Sequence, residues 1–461
     1  MHLIYENLIP NLVLLWTGDF KGLDEGSGQY HLDGAIWEAI GKATAESGST
    51  IPSAYGPRVR NVKDDRAYLT ADMWSFWALY IGPVLLHRKF TDQKYYHHFI
   101  QLVELLNACL SFELSFEEVR TIREGFIAWV ERYEEFYYQL APERLSTCVL
   151  TVHALLHIAD SIVEMGPVWA YWAFPMEHYC GLLQRSIRSR RYPFSNLSQT
   201  VLSDARLKQL GLCYNIHQML SLKPPEDAYI CGQLALPNYS TCILLPPRLP
   251  SGTVQDPQLL KRIQVHFATR FGRPLAAVRR GFSGAQVEAF GRVRRIGGDT
   301  MWASSMISHS EDRRDPTWIR YDALVDQNAA RRNAPEDYSR GPTIFYGQLQ
   351  HLVVVTLPAM PSLNLTECTQ YVLADIYTAK TDIDGLLDSK MYDSMSTVQV
   401  FDITCVQNLV GRLKMLTLSQ NSRAKGVWAI IDRSERSDGA IYVPEAEERD
   451  SSAVGEDASV M

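Results

Sequence analysis

No Cys-x-x-Cys pair occurs among the eight cysteines, which fall irregularly at positions 109, 148, 180, 213, 231, 242, 368 and 405. Zinc ribbons, thioredoxin-like redox chemistry and a secreted disulfide framework all need closer or more regular spacing, so reduced, buried thiols in an intracellular protein are expected. Long hydrophobic runs are also lacking. The longest, Trp74–Leu86, has thirteen residues and contains Gly82-Pro83. A membrane crossing needs about 20 apolar residues, so this run reads as a buried helix and no membrane partner is expected. Leu8–Trp16 is apolar, but Glu6 precedes it, Pro10 and Asn11 interrupt it, and no basic stretch leads it, so it does not read as a signal peptide. The sequons at Asn196, Asn238 and Asn364 therefore carry no weight. No internal repeat is visible, and nothing in the sequence points to a small-molecule substrate.

What is present is ordinary globular material. The 461 residues are 46% hydrophobic and 21% charged with a net charge of −7, enough to build two to four domains without disulfide staples. The expected fold class is mixed α+β, with a large helical region followed by a small β-sheet or barrel module. Residues 1–222 read as a helical domain. Within it, Trp74, Trp77, Leu79, Tyr80 and Val84, and then Phe99, Leu102, Val103, Leu106 and Leu110, recur at helical spacing. Ser115 with Glu118 three residues on is a capping-box start for a helix running to about Gln139. The Pro- and Gly-bearing loop from Gly48 to Asn61 separates an N-terminal helix pair from the rest. The tryptophans and tyrosines at 74, 77, 80, 95, 96, 129, 133, 137 and 138 keep helical spacing and read as core rather than as base-stacking platforms.

Residues 223–300 read as a Pro-rich, then Arg-rich connector, with short helices at 257–270 and 283–290. A small β module of four or five strands is expected over 301–442, carried by the segments 342–357, 370–379, 396–406 and 426–432. The final stretch, 443–461, holds six acids against one arginine and reads as a disordered tail. Charge is uneven along the chain. Nine bases and one acid lie between Lys261 and Arg295, so this band carries +8 and the remainder −15. Its arginines, among them Arg279, Arg280, Arg292, Arg294 and Arg295, would suit a phosphate backbone, or they balance acidic neighbours in a solvated connector. A second cluster, Arg185, Arg188, Arg190 and Arg191, follows a helix in mid-chain.

Two further constellations could carry chemistry. His153 and His157 stand four apart on one helix face with Asp160 nearby. Such a pair can bind zinc if other ligands join it, although Ala154 stands where a zinc hydrolase would place its glutamate; otherwise the two rings pack between helices. Glu177 follows Pro175, which suits a helix's first turn, so the acid is either a dipole-stabilising residue or a metal ligand.

The stretch 145–194, with His153, His157 and "GPVWAYWAFPMEHYCGLLQ", resembles the C-terminal segment of CACTA-type (En/Spm-like) DNA transposases of basidiomycete fungi, which reads Gly-Pro-Val, aromatics, then Phe-Pro-x-Glu. "MHLIYENLIPNLVLLWTG", "AYLTADMWSFWALYIGPVLL" and "VQNLVGRLK…GVWAIIDRS" are similar to further segments of that family, in order over residues 1–432. The resemblance implies an RNase H-like core interrupted by a helical insertion, in which three carboxylates hold two Mg²⁺ ions. It assigns Glu177 the role of third acid and metal ligand, and His2 that of the histidine just after the second aspartate. Both family aspartates would lie upstream of Met1, so the implied protein is a fragment without nuclease or strand-transfer activity and with no cofactor of its own. It would retain DNA affinity, act in the nucleus, and pair with DNA or a full-length transposase. A non-enzymatic protein-interaction module is the alternative, and a metal-dependent hydrolase built on His153 and His157 a third.

Overall fold

The computed structural model describes residues 2–23, 28–220, 232–252, 256–306, 312–326, 328, 338–339, 341–363, 365–384, 389–416 and 426–434. The 443–461 segment and all of 221–231 lie outside them. The architecture is mixed α+β. Through Leu220 the described residues form helices and no strand: α1 Ile9–Thr17, α2 Gly34–Ser47, α3 Ala71–Phe76, α4 Gly82–Leu85, α5 Lys94–Cys109, α6 Phe116–Tyr133, α7 Leu150–His153, α8 Ile158–Met165, α9 Phe174–Ser186, α10 Pro193–Tyr214 and α11 His217–Leu220.

The apolar run at 74–86 is a buried helical rod. A π-helical turn, Trp77–Ile81, joins α3 to α4, and every residue from Trp74 to Leu86 is buried. Thr70 caps its start by accepting from the Met73 N–H. Around this rod pack Trp16, Phe99, Trp129, Tyr133 and Tyr137, with the Trp16 indole N–H donating to the Tyr137 hydroxyl at 3.0 Å. Of the nine aromatics read as core, eight are buried and Tyr138 is half-buried. The capping box of α6 has both halves: Ser115 accepts from the Glu118 N–H, and the Glu118 carboxylate accepts from the Ser115 N–H at 2.7 Å.

Two readings of the 223–300 stretch are corrected. Cys242–Leu249, inside the presumed strap, is strand β1. It tolerates Pro246 and Pro247 because it lies at the end of the sheet, where β2 (Gln286–Arg295) is its one strand partner and Leu234 bridges to Leu244 on the other side, short of the prolines. The helix expected at 283–290 is instead the start of β2, in which Val287, Ala289 and Val293 are buried alternately between polar neighbours. The helices of this stretch are α12, Pro257–Phe271, and α13, Leu275–Gly281.

The sheet is therefore larger than four or five strands. Among the described residues it contains ten, adding β3 Thr300–Trp302, β4 Trp318–Ala323, β5 Thr343–Leu357, β6 Thr369–Asp384, β7 Ser389–Asp402, β8 Val406–Leu409, β9 Gly411–Lys414 and β10 Trp428–Ile431. All pairs are antiparallel. Strand β5 pairs β4 along its first half and β2 along its second, and the sheet curls there. Val353 and Val355 face α12 with Leu259, Ile263 and Phe267, while Leu352 and Val354 face a second core with Phe290 and Tyr321. This is the period-two alternation of a sheet covered on both sides.

The Gly48–Asn61 loop does more than separate helices. It fastens the helical region to the sheet. The Tyr55 hydroxyl reaches the Leu409 and Ile431 carbonyls, each at 3.0 Å. Arg314 donates to the Gly56 carbonyl at 2.6 Å, and the Arg412 N–H to Thr50 O at 3.0 Å. Leu413, Ala429 and Ile431 belong to the same hydrophobic core as Trp16 and Trp77.

Candidate functional site

Helix α9 begins as its sequence dictates, with Pro175 in the first turn and Glu177 just behind it. The Glu177 Oε1 atom lies 2.9 Å from His2 Nε2, an ion-pair distance without hydrogen-bond alignment. The other ring nitrogen of His2, Nδ1, meets the Glu6 carboxylate on the π-helical turn Ile4–Leu8. Asn7 holds the His2 carbonyl at 2.6 Å. The imidazole is thus flanked by two carboxylates, and its pKa is raised above 6.5. The hydrogen bond and charge of Glu6 are the main cause, and Glu177 adds to them. Beside this group, Asp72 on α3 has its carboxyl pushed up by burial, while the charge of neighbouring His178 acts in the opposite direction.

His2 and Glu177, the two residues singled out by the resemblance at this end of the chain, are therefore in contact although 175 positions apart. The residues present do not fit a two-metal centre. Glu177 faces an imidazole biased toward its cationic form, which competes with a divalent ion for the same carboxylate. Among the described residues, no group of three or more His, Cys, Asp or Glu side chains is placed to hold a metal.

His153 and His157 do not pack between helices. The helix tightens to a 3₁₀ turn over Ala154–His157, both rings are exposed, and their Nε2 atoms lie 3.2 Å apart. Asp160 turns away to pair with Arg123. Among the described residues the pair gains no third ligand.

The two arginine clusters differ in what their side chains do. Arg185, Arg188, Arg190 and Arg191 sit at the tip of the α9–α10 hairpin, all exposed, and none pairs with a carboxylate among the described residues. The tip is held in shape by Asn196, whose side-chain oxygen accepts from the Arg188 N–H at 2.6 Å. The band at 261–295 is mostly engaged within the fold. Arg292 donates to the Pro246 carbonyl at 2.8 Å, Arg294 to Thr300 at 3.3 Å, and Arg295 to the Val406 carbonyl. These three are half-buried members of β2 and are not free to follow a phosphate backbone. Arg279 and Arg280 on α13 are exposed, as is Arg273 before it.

One polar network has no counterpart in the sequence reading. Arg262 on α12 makes a bidentate pair with Asp375 at 2.8 and 2.7 Å, and Asp375 is 0% exposed on β6. His351 Nδ1 adds a contact at 2.9 Å. Along the same helix face, His266 meets the Val400 carbonyl at 3.0 Å and Arg270 meets Asp402 at 2.7 Å. The i, i+4, i+8 spacing of Arg262, His266 and Arg270 was a visible signal, but their acidic partners are more than 100 residues away. The network fixes a helix on a sheet.

Of the seven described cysteines, none forms a disulfide; Cys109 and Cys242 are buried, whereas Cys148, Cys180, Cys213 and Cys368 are exposed, contrary to the expectation of buried thiols throughout. No described helix is long and apolar enough to cross a membrane. Compared with family models, with curated proteins and with solved structures, the chain finds no match in any of the three.

Proposed function

We propose that this chain is a transposase-derived protein of the CACTA type, related to RNase H-like nucleases, that contacts nucleic acid and performs no strand transfer itself. The observation that carries this reading is the meeting of His2 with Glu177 at the start of α9. The resemblance gives both residues to one site, and nothing in the spacing of the sequence requires them to touch. The absence of strand transfer follows from electrostatics: two carboxylates, Glu6 and Glu177, already shared with one imidazole do not offset the charge of two divalent ions. Contact with nucleic acid falls to the arginines that the fold leaves exposed, Arg185, Arg188, Arg190 and Arg191 at the hairpin tip and Arg273 and Arg279 near α13.

Duplex DNA binding followed by fluorescence anisotropy tests this. With four to six phosphates neutralised, the log–log dependence of affinity on salt should have a slope of about −4 to −5. Replacing Arg273 and Arg279 together by alanine should flatten it by about 2, and the four tip positions by up to about 4. Salt-independent binding, or none at about 50 mM salt, overturns the nucleic-acid reading. Mg²⁺-dependent cleavage of DNA that disappears in Glu177→Gln overturns the other half. The interaction-module reading is favoured by a separate observation, the bare apolar surface of the α9–α10 hairpin.

A further inference from the structure

Helices α9 and α10 form an arm with almost no core of its own. No residue of α9 is buried, and Gly211 is the one buried residue of α10. A Cβ added to Gly181, midway along α9, would find nothing within 4 Å. Yet the arm is not polar. Met176 and Leu182 on α9 and Phe194, Leu202, Leu210 and Leu212 on α10 stand in solvent, Phe194 at 82% exposure. On α10 Phe194, Leu202, Leu210 and Leu212 fall within about 160° of the circumference at 100° per residue, a broad apolar stripe that the fold leaves uncovered. A fully exposed aromatic offers roughly 150–250 Å². Six apolar side chains, 44% to 82% exposed, together bare on the order of several hundred Å², comparable to the roughly 800 Å² per partner of a specific interface.

The charge on the arm says what covers it. Residues 174–219 carry six bases against two acids, a net +4, whereas residues 1–173 carry thirteen bases against twenty-two acids, a net −9. The four tip arginines have no carboxylate partner among the described residues. On the helical body, the outer face of α6 and the turn after it offer the complement. Phe116, Ile127 and Glu131 lie exposed along one side, and Glu131, Glu134 and Glu135 have no basic partner among the described residues. The other exposed acids of α6 are already engaged: Glu117 and Glu124 both meet Arg120, and Glu118 is taken up in the Ser115 cap.

We propose that the arm docks on the α6 face of a second copy of this chain. The contact is reciprocal, so that each copy gives an arm and receives one. The apolar shaft lies on Phe116 and Ile127, and the arginine tip meets Glu131, Glu134 and Glu135. A reciprocal contact of this kind closes as a two-fold dimer and leaves no free patch to propagate. It separates two basic tips that would repel if the arms met each other. The inference rests on the arm alone and not on the transposase reading; in the dimer the tip is occupied, and contact with nucleic acid falls to Arg273 and Arg279.

Sedimentation equilibrium of the full chain tests it. The wild type at micromolar concentration should have twice the 52.3 kDa chain mass. The double variant Leu202→Glu/Leu210→Glu, at exposed positions that leave the core untouched, should weaken the dimer at least about tenfold, as should Ile127→Arg. Far-ultraviolet circular dichroism and melting temperature of both variants should match the wild type. Arg190→Glu/Arg191→Glu should weaken the dimer, and adding Glu131→Arg/Glu134→Arg to the same chain should restore it. A monomeric wild type overturns the proposal, and so does a dimer indifferent to either apolar variant. If the wild type is monomeric while the tip variant loses DNA, the arm belongs to nucleic acid; the dimer fails and the nucleic-acid reading stands. A dimer that ignores DNA has the reverse meaning.

Discussion

His98 shows what one buried titratable side chain does to this fold. Its ring stacks on Trp129, centroids 4.4 Å apart and nearly parallel, and its Nε2 meets the Trp129 carbonyl at 3.0 Å. The Trp129 indole N–H in turn donates to the His98 carbonyl at 2.9 Å. Burial pushes the imidazole down to a pKa of about 4 from 6.5. Below pH 6.5 the unfolded chain therefore takes up a proton that the folded one refuses, so stability declines as pH falls toward 4 and levels off beneath it. Between pH 6.5 and 5, above the carboxylate range, His98 should remove about 2 kcal/mol. Urea midpoints across that interval check this, and His98→Asn, less stable overall, should lose most of the slope. Nothing in the sequence marks His98 among its neighbours His97 and His87 beyond its place on the apolar face of α5. Glu177 was legible for a different reason: Pro175 fixes the helix start, and the resemblance picks out the acid. Its contact with His2 was not legible, because a contact across 175 positions depends on how the helices pack.

The elements divide by how local their causes are. The capping box of α6, the rod at 74–86 and strands β5 and β10 follow from patterns within a dozen residues and form where those patterns place them, whereas β6 runs on to Asp384 and the stretch expected at 396–406 breaks at Ile403–Cys405 between β7 and β8. Strand β1 was missed because two prolines outweigh Ile243, Leu244 and Leu245 in any local reading, and only its position at the end of the sheet makes them harmless. Strand β2 was missed because its arginines suggested a solvated band. In the fold their stems lie along the sheet and their guanidinium groups reach neighbouring carbonyls. Helix α12 depends on its pair with Asp375. Removing Arg262 leaves a fully buried carboxylate with His351 as its remaining partner, so Arg262→Ala should cost about 3–5 kcal/mol in denaturant unfolding. Arg262→Leu/Asp375→Leu should recover much of that loss, since an apolar pair of similar volume leaves no charge stranded. Equal damage from both variants would mean that the pair does more than anchor α12.

At the scale of the whole molecule, the joint between helices and sheet is a short polar loop laid over a shared apolar core. Tyr55 is buried there with its hydroxyl on two carbonyls, and Arg433 reaches across to the Ala54 carbonyl and to Asp299. Losing the Tyr55 hydroxyl takes a donor from the Ile431 carbonyl and leaves the Leu409 carbonyl with the Asn408 side-chain amide, so Tyr55→Phe should cost about 1 kcal/mol. Combined with Arg314→Ala, it should split a single calorimetric transition into two, the sheet and the helical body melting apart. A single undivided transition in the double variant would show that the apolar contacts at Leu413 and Ile431 suffice alone. Sequence reasoning saw this loop as a separator because glycine and proline mark turns, and turn chemistry is silent about what a turn rests on.

The placement of β2 also bears on how this chain could be exchanged as a unit with others. The second half of β5 pairs with β2 on one side, and β1 in turn rests on β2. A gene segment encoding only residues beyond 300 would thus carry a sheet with a raw edge from Leu352 to Thr356, and Asp375 without its arginine. A break upstream of β1 keeps β1, β2 and α12 with the sheet, but it uncovers Leu413, Ala429 and Ile431, which pack in the core of the helical region. One made at the end of the arginine band would yield a chain primed to pair with strangers.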